Sequence, residues 1–265
     1  MKKFFIFCIL YSLAINGFPQ KGLSPLFNGK NLKGWDTFIG ATEKGAKPIG
    51  LNTDPLKIFT VTEMDGIPVL RISGEINGSI ATRRSYENYH VRMVFKWGEK
   101  IYRQLNSGLL YHSYGPFGAG LDVWMSSHEF QLCTGKLGDS YCMGASYFEI
   151  PTVSSAGGKV LTYSSSGDKV AFGDGNIAKN CSKCGDFEKA KGDWNTIDLY
   201  CFGRTSVHVV NGKVVMVNYN SGKIEDGKVH PLTKGKIQVQ SEGGELFIRS
   251  LEIEKIKKIP EEILK

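Results

Sequence analysis

The chain has 265 residues and a formal net charge of +7, with 41% hydrophobic and 22% charged residues. This balance excludes an intrinsically disordered chain, and the length is sufficient for a full hydrophobic core. The lysines are scattered and form no basic stripe interleaved with stacking aromatic residues, so no nucleic-acid partner is expected.

The first residues resemble a secretory signal. Lys2 and Lys3 precede an apolar run over residues 4–15, which is too short to span a bilayer. We therefore predict a signal peptide over residues 1–20, with cleavage between residues 16 and 21, and a mature domain over residues 21–265. No later segment approaches a membrane-spanning length. The predicted location is periplasmic or extracellular.

Five cysteines remain after the predicted cleavage, and export permits disulfides. Cys181 and Cys184 have the spacing of half a zinc site, but no second such pair follows. A local disulfide or a pair of loop thiols is the expected alternative. An odd count leaves at least one thiol unpaired, and Cys201 is the expected one.

The mature chain begins with turn signals and then shows many short strand patterns. Asn28-Gly29 marks a tight turn, and residues 59–62 and 69–73 flank Asp65-Gly66 as a hairpin. Residues 89–97 alternate between apolar and polar side chains, which is typical of a half-buried strand.

The stretch from residue 106 to 139 concentrates polar chemistry. Residues 107–113 and 128–132 are predicted strands. Since side chains alternate along a strand, Phe130 is expected on the core face and Glu129 with Gln131 on the other face. A carboxylate beside an amide suits a hydroxyl-rich ligand, although a solvated outer face would show the same pattern.

The remaining residues continue the strand pattern after one irregular segment. Residues 151–192 are predicted to form a loop-rich insertion over the sheet. A hairpin with Asn211-Gly212 at its turn follows, and strands over 237–240 and 246–253 close the chain. No long helical period occurs. The predicted fold class is all-β, a two-sheet antiparallel sandwich of the jelly-roll type.

Six pieces of the sequence, in order, resemble the 3-keto-disaccharide hydrolase domain family. They are LFNGKNLKGW (26–35), NSGLLYH (106–112), EFQ with the later GD (129–131 and 138–139), DWN (193–195), VNGK (210–213) and IQVQSEGGELFIRSLEI (237–253). The resemblance implies a concanavalin-like jelly roll whose concave sheet binds sugar. It also implies cleavage of glycosides oxidised to a ketone at C3. The segment 151–192 has no counterpart in this pattern.

The residues themselves exclude the usual jelly-roll glucanase chemistry. Those enzymes carry an E-x-D-x-x-E carboxylate pair on one strand, whereas the chain from Glu129 has Gln131 and Thr134 at the other two positions. A retaining mechanism needs two carboxyl groups about 5–5.5 Å apart. A 3-keto sugar instead has an acidic C2 proton, so one base and an oxyanion stabiliser suffice for β-elimination of the C1 substituent.

Three residues are candidates for catalysis. Glu129 is the expected base. His112 is expected to be a second base, a group that polarises the ketone, or a metal ligand beside Glu129, with a hydrogen-bonded strand-end histidine as the alternative. Asp139 is a third candidate, with a simple turn residue as its alternative. A divalent metal is left open, and no organic cofactor is expected.

Five further residues are candidates for binding an oxidised carbohydrate. Gln131, Gln240 and Asn106 could orient hydroxyl groups, Trp124 could stack on a sugar, and Arg249 could bind an oxyanion or pair with a carboxylate. The competing function is a non-catalytic carbohydrate-binding module on the same fold. Glu129 within reach of His112 would favour the enzyme.

Overall fold

The computed structural model describes residues 22–155, 157–158, 160–173, 175–176 and 178–264. The predicted signal peptide and the cleavage region up to residue 21 lie outside these residues. Within the described part, the strands form two sheets and every pairing between named strands is antiparallel. No helix in the same part is long and apolar enough to cross a membrane. The predicted two-sheet jelly-roll sandwich is confirmed.

The chain crosses several times between the two sheets. Their bounds are β1 Ser24–Pro25, β2 Trp35–Ile39, β3 Gly50–Leu51, β4 Phe59–Met64, β5 Ile67–Ile72, β6 Gly78–Thr82, β7 Tyr86–Glu87, β8 Tyr89–Ile101, β9 Asn106–Tyr114, β10 Ser126–Cys133, β11 Ser140–Met143, β12 Ser146–Ser154, β13 Leu161–Tyr163, β14 Asp168–Gly173, β15 Asn180–Cys181, β16 Asn195–Phe202, β17 Thr205–Val210, β18 Lys213–Glu225, β19 Lys228–Pro231, β20 Lys234–Ser241 and β21 Gly244–Lys255, followed by a short 3-10 helix, Glu261–Ile263.

The large sheet has the order β13-β12-β18-β17-β16-β8-β21-β5-β4, with β1, β14 and β19 paired beside this path. The small sheet has the order β15-β11-β10-β9-β20-β6-β2-β3, with β7 beside it. The neighbours β11, β10, β9 and β20 at one half of the small sheet carry most of the predicted site residues.

The core lies between the sheets and follows the alternation that the sequence predicts. On β8 the side chains of Val91, Met93, Phe95 and Trp97 are buried, and the residues between them are partly exposed up to Lys96. On β10 Phe130 belongs to the same core. Burial of apolar surface contributes about 25 cal/mol per Å², so this two-sided core is the main source of stability.

The segment 151–192 is more regular than the predicted insertion. Within it, the strands β13 and β14 both pair with β12 and so extend the large sheet.

All five described cysteines are free thiols. The local disulfide between Cys181 and Cys184 is not formed: Cys181 is buried on β15, Cys184 is exposed in the loop that follows, and Cys201 is buried in the core.

Candidate functional site

Glu129 lies on the outer face of the small sheet, as the strand period predicts. The neighbouring Phe130 ring points into the sandwich and stacks on His208 of the large sheet, with 4.1 Å between ring centroids. Only 2% of the Glu129 surface is exposed. The alternative of a solvated outer face is therefore wrong, because this carboxyl group is covered.

Strand register decides which side chains surround Glu129. Tyr141 of β11 lies directly opposite Glu129, and Gln131 lies opposite Gly108 of β9. A Cβ atom on Gly108 would overlap Oε1 of both Glu129 and Gln240. Glycine at this position therefore lets the two flanking side chains converge across β9.

Glu129, Gln131 and Tyr141 line a cavity of about 200 Å³, which we call the Glu129 cavity, and the Gln240 side chain approaches Glu129 beside it. The lining residues that carry chemistry are Asn106, Glu129, Gln131, Lys136, Tyr141 and Glu242. The volume lies below the range of about 300–1,000 Å³ that is usual for drug-sized ligands. The cavity therefore suits one small ring.

The amide side chains around Glu129 retain unused hydrogen-bonding capacity. Oδ1 of Asn106, Oε1 of Gln131 and both amide atoms of Gln240 are buried without a hydrogen-bond partner among the described residues. A buried polar atom without a partner costs about 1–3 kcal/mol, so such atoms are rare in folded proteins. Their convergence on one carboxyl group indicates a site for a ligand rich in hydroxyl groups.

A second carboxyl group that the sequence interpretation missed lies in the same cavity. Burial and the neighbouring Glu242 charge together raise the pKa of Glu129 well above its ordinary value. Burial raises the pKa of Glu242 to about 7, and the Arg103 guanidinium opposes part of that rise. Glu242 follows Gln240 by two residues, so the strand period was the signal that could have identified it.

Tyr141 was missed as well. Burial raises its pKa to about 12, and the charges of Asp139 and Glu129 add to the rise. Its phenol therefore keeps its proton at neutral pH and can donate a hydrogen bond into the cavity. The turn at Gly138-Asp139 gave a usable signal, because the residues after it must pair back onto β10.

Asp139 lies beside the Glu129 cavity and does not line it. Its Oδ1 accepts a hydrogen bond from the backbone N–H of Lys183 at 2.9 Å, and its own N–H donates to the carbonyl of Lys136 at 3.1 Å. Burial raises the pKa of Asp139 to about 6. The turn alternative fits this placement, because the carboxylate holds the loop that carries Lys183.

His112 lies on the opposite side of β9 from Glu129. Its ring packs edge-on against Tyr89 of the large sheet, with 5.8 Å between ring centroids, and against His128 at 5.9 Å. A β-bulge causes this placement: β9 carries one extra residue relative to both neighbours, and His112 has φ 50°. The expectation that His112 stands beside Glu129 is wrong, because the bulge reverses the alternation.

The placement of His112 also bears on the metal hypothesis. Burial lowers the pKa of His112 to about 3, with a further contribution from His128. Among the described residues, no three His, Cys, Asp or Glu side chains form a group that could hold a metal ion. A metal ion held between His112 and Glu129, one of the options for His112, is therefore not compatible with this placement.

Trp124 is a structural anchor and is only 1% exposed. Its Nε1 donates a hydrogen bond to the carbonyl of Gly78 at 3.0 Å, and its ring packs with Leu110, Val123 and Met143. The prediction of a sugar-stacking surface is wrong here, because the glycine-rich loop folds back and buries this ring on the small sheet.

Arg249 lies on the far side of the sandwich. It is exposed on β21 of the large sheet, and its guanidinium lies 4.6 Å from the centroid of the Trp194 ring. The neighbouring Ile248 points into the core. Arg249 therefore cannot contact a ligand in the Glu129 cavity, and the prediction of an oxyanion contact is wrong.

A model of the 3-keto-alpha-glucoside-1,2-lyase-like domain family matches residues 22–254. The chain belongs to this family. The match spans both sheets and includes every residue of the Glu129 cavity, and it supports a function on carbohydrates.

Two solved structures from Parabacteroides distasonis ATCC 8503, both provisionally named glycosyl hydrolases, show the same fold. One is 20% identical with a TM-score of 0.50 and covers 88% of this chain and 99% of its own. The other is 18% identical with a TM-score of 0.50, covering 89% and 94%. At this identity the likeness extends to the fold alone. No curated protein sequence matches the chain.

Proposed function

We propose that this protein cleaves the glycosidic bond of glycosides that carry a ketone at C3 of the sugar. The observation that carries the proposal is the buried Glu129 among amide atoms without partners. Family membership supports the substrate class. The Glu129 cavity would hold the oxidised sugar ring, with Asn106, Gln131 and Gln240 bonded to its oxygens.

The reaction begins with removal of the acidic proton on C2. The ionised carboxylate of Glu129 takes this proton, and the electron pair moves toward the C3 oxygen as an enolate. Tyr141 keeps its phenolic proton and is placed to donate a hydrogen bond to the developing oxyanion. Collapse of the enolate forms the C1=C2 double bond and breaks the bond from C1 to the leaving oxygen.

The leaving oxygen then needs a proton, and Glu242 supplies it. Two interacting carboxyl groups lose their protons in two steps that belong to the pair. The active form therefore holds one proton between Glu129 and Glu242, which provides an acceptor and a donor in the same cavity. Water then adds its oxygen to C1, C2 takes back the proton held by Glu129, and Glu242 takes the proton released by the water. The net reaction is hydrolysis, and both carboxyl groups are back in their starting protonation states.

The experiment compares an oxidised with an unoxidised glucoside on purified protein. We expect cleavage of the 3-keto-glucoside only, and slower turnover when C2 carries deuterium, because that bond breaks in the first step. Parallel reactions with a chelator report any metal requirement. Rapid cleavage of the unoxidised glucoside would contradict the mechanism. Binding of both sugars without cleavage would assign the protein to the carbohydrate-binding modules instead.

We further propose that residues 1–20 act as a signal peptide and that the protein works outside the cytoplasm. The basic start and short apolar run support this. Mass spectrometry of the exported protein should find an N-terminus between residues 17 and 21. An intact Met1 on exported material would refute it.

A further inference from the structure

A groove much larger than the Glu129 cavity adjoins it. The groove has a volume of about 1070 Å³ and is formed by residues 41–46, 75–77 and 102–103 together with the glycine-rich loop 116–123. Leu121 lines both the groove and the Glu129 cavity. A ligand in the cavity can therefore extend into the groove past this side chain.

The surface chemistry of the groove differs from that of the cavity. The rings of Phe38 and Phe117 stack in parallel with 5.3 Å between centroids. Tyr102 is 44% exposed and Leu121 is 71% exposed. All of the described buried side-chain atoms that lack a hydrogen-bond partner belong to residues outside the groove. The groove therefore combines these rings with exposed polar side chains such as Glu43, Lys44 and Asp122, whereas the cavity offers buried hydrogen-bonding atoms without partners.

The junction between the two spaces lies at the proton donor. Arg103 lines the groove, donates a hydrogen bond to the Asn77 side chain, and lowers the pKa of Glu242 by its charge. Glu242 lines the cavity. The oxygen that leaves the sugar would therefore face the groove while the sugar ring lies over Glu129.

We infer that the groove binds a planar aromatic aglycone of the oxidised glycoside. The inference rests on the proposed function, because it takes the cavity as the site of the sugar ring. Flat rings pack against exposed aromatic side chains in offset or edge-to-face contacts, which are worth about 0.5–1.5 kcal/mol each beyond area burial. A second sugar is the competing occupant, and none of the described groove side chains has a buried hydrogen-bonding atom left without a partner for it.

The test uses the 3-keto derivatives of phenyl glucoside, methyl glucoside and cellobiose. We expect the phenyl substrate to have the highest kcat/KM. Tyr102→Ala should lower kcat/KM for the phenyl substrate by roughly five- to tenfold, the size of one lost aromatic contact, and leave the methyl substrate unchanged. Phe202→Ala is the matched control, since Phe202 is an aromatic residue with 37% exposure on the large sheet, away from the groove.

A binding measurement separates this inference from the proposed reaction. Ligand-observed NMR with unoxidised phenyl glucoside should show contact between the phenyl ring and the protein, lost in Tyr102→Ala and kept in Phe202→Ala. This result would support the groove even if no 3-keto substrate were cleaved. Cleavage of all three substrates with no loss specific to the phenyl substrate in Tyr102→Ala would overturn it. A larger loss for 3-keto-cellobiose would also overturn it, because the groove would then bind a sugar.

Discussion

The two faces of strands β9 and β10 carry buried polar groups of opposite character. On the outer face, Glu129 is surrounded by amide atoms that have no partner. On the inner face, the Tyr111 hydroxyl contacts Ser206 Oγ at 2.8 Å and His208 Nε2 at 3.1 Å. Most of the inner groups are bonded to each other, although the Tyr89 hydroxyl and Nε2 of His112 lack a partner there as well. The outer face differs because its amide atoms without partners are clustered around one carboxyl group.

The histidines of the inner face illustrate the structural role. His208 Nδ1 lies 3.1 Å from the carbonyl of Gly138, and His128 Nε2 lies 3.0 Å from the carbonyl of Tyr147. Burial lowers the pKa of His208 to about 3 and of His128 to about 4. These rings stay neutral at physiological pH and connect the two sheets.

The largest effect is expected when the base on the outer face is removed. Glu129→Gln keeps the shape of the side chain and removes the base, so kcat on a 3-keto-glucoside should fall about 10²–10⁴-fold with little change in KM. The melting temperature should not fall, because a neutral amide replaces a carboxyl group whose ionised form is disfavoured by burial. Glu63→Gln, on an exposed position of β4, is the control. Unchanged turnover in Glu129→Gln would contradict the assignment of Glu129 as the base.

Acid should destabilise the protein through the buried histidines of the inner face. The pKa values of His112, His128 and His208 are lowered on folding, so the unfolded chain binds more protons as pH falls below about 6.5. Each histidine then costs roughly 1.4 kcal/mol of stability per pH unit, until the pH approaches its folded pKa. Urea unfolding at several pH values from 7.5 to 4 should show this loss.

The outer carboxyl groups oppose this loss of stability in acid. The pKa values of Glu129 and Glu242 are raised on folding. Their stabilising contribution to the free energy of unfolding is therefore present at low pH and is lost as pH rises above about 4.5. In Glu129→Gln one opposing group is absent, so stability between pH 5 and 6.5 should fall more steeply with acid than in the unmodified protein. Identical slopes would contradict the raised pKa.

A substitution at His112 should change stability and leave chemistry intact. His112→Asn suits the left-handed backbone at this position and removes the ring that packs on Tyr89 and His128. We expect a loss of about 1–3 kcal/mol in the free energy of unfolding, with kcat of the folded protein unchanged. A large loss of kcat at full stability would restore His112 to the catalytic site.

Glu242 should control both the position and the height of the pH profile. Glu242→Gln removes the charge that helps to raise the pKa of Glu129, so the ascending limb of kcat/KM should move to lower pH. The plateau should fall as well, because the proton for the leaving oxygen is lost. Glu245→Gln provides a control, since Glu245 pairs with Arg71 in the large sheet. An ascending limb at unchanged pH would show that the Glu242 charge does not affect the pKa of Glu129.

The sequence alone determined the fold class, the family and the faces of the regular strands β8 and β10. Period-2 alternation placed Glu129 and Gln131 away from the core, because that alternation is a local property of any extended strand. The ordered motifs identified the family over almost the whole mature chain. In the structure Asn106 and Gln131 line the Glu129 cavity, and Gln240 approaches Glu129 across Gly108.

Only the tertiary structure decided the rest, because each remaining feature depends on residues distant in the chain. The bulge that turns His112 inward arises from the register with β10 and β20. Tyr141 and Glu242 reach Glu129 through strand pairing and a turn, and the folded-back loop buries Trp124 against Leu110. A local pattern specifies which way a side chain points, whereas the packing of other segments decides what covers it and what it meets.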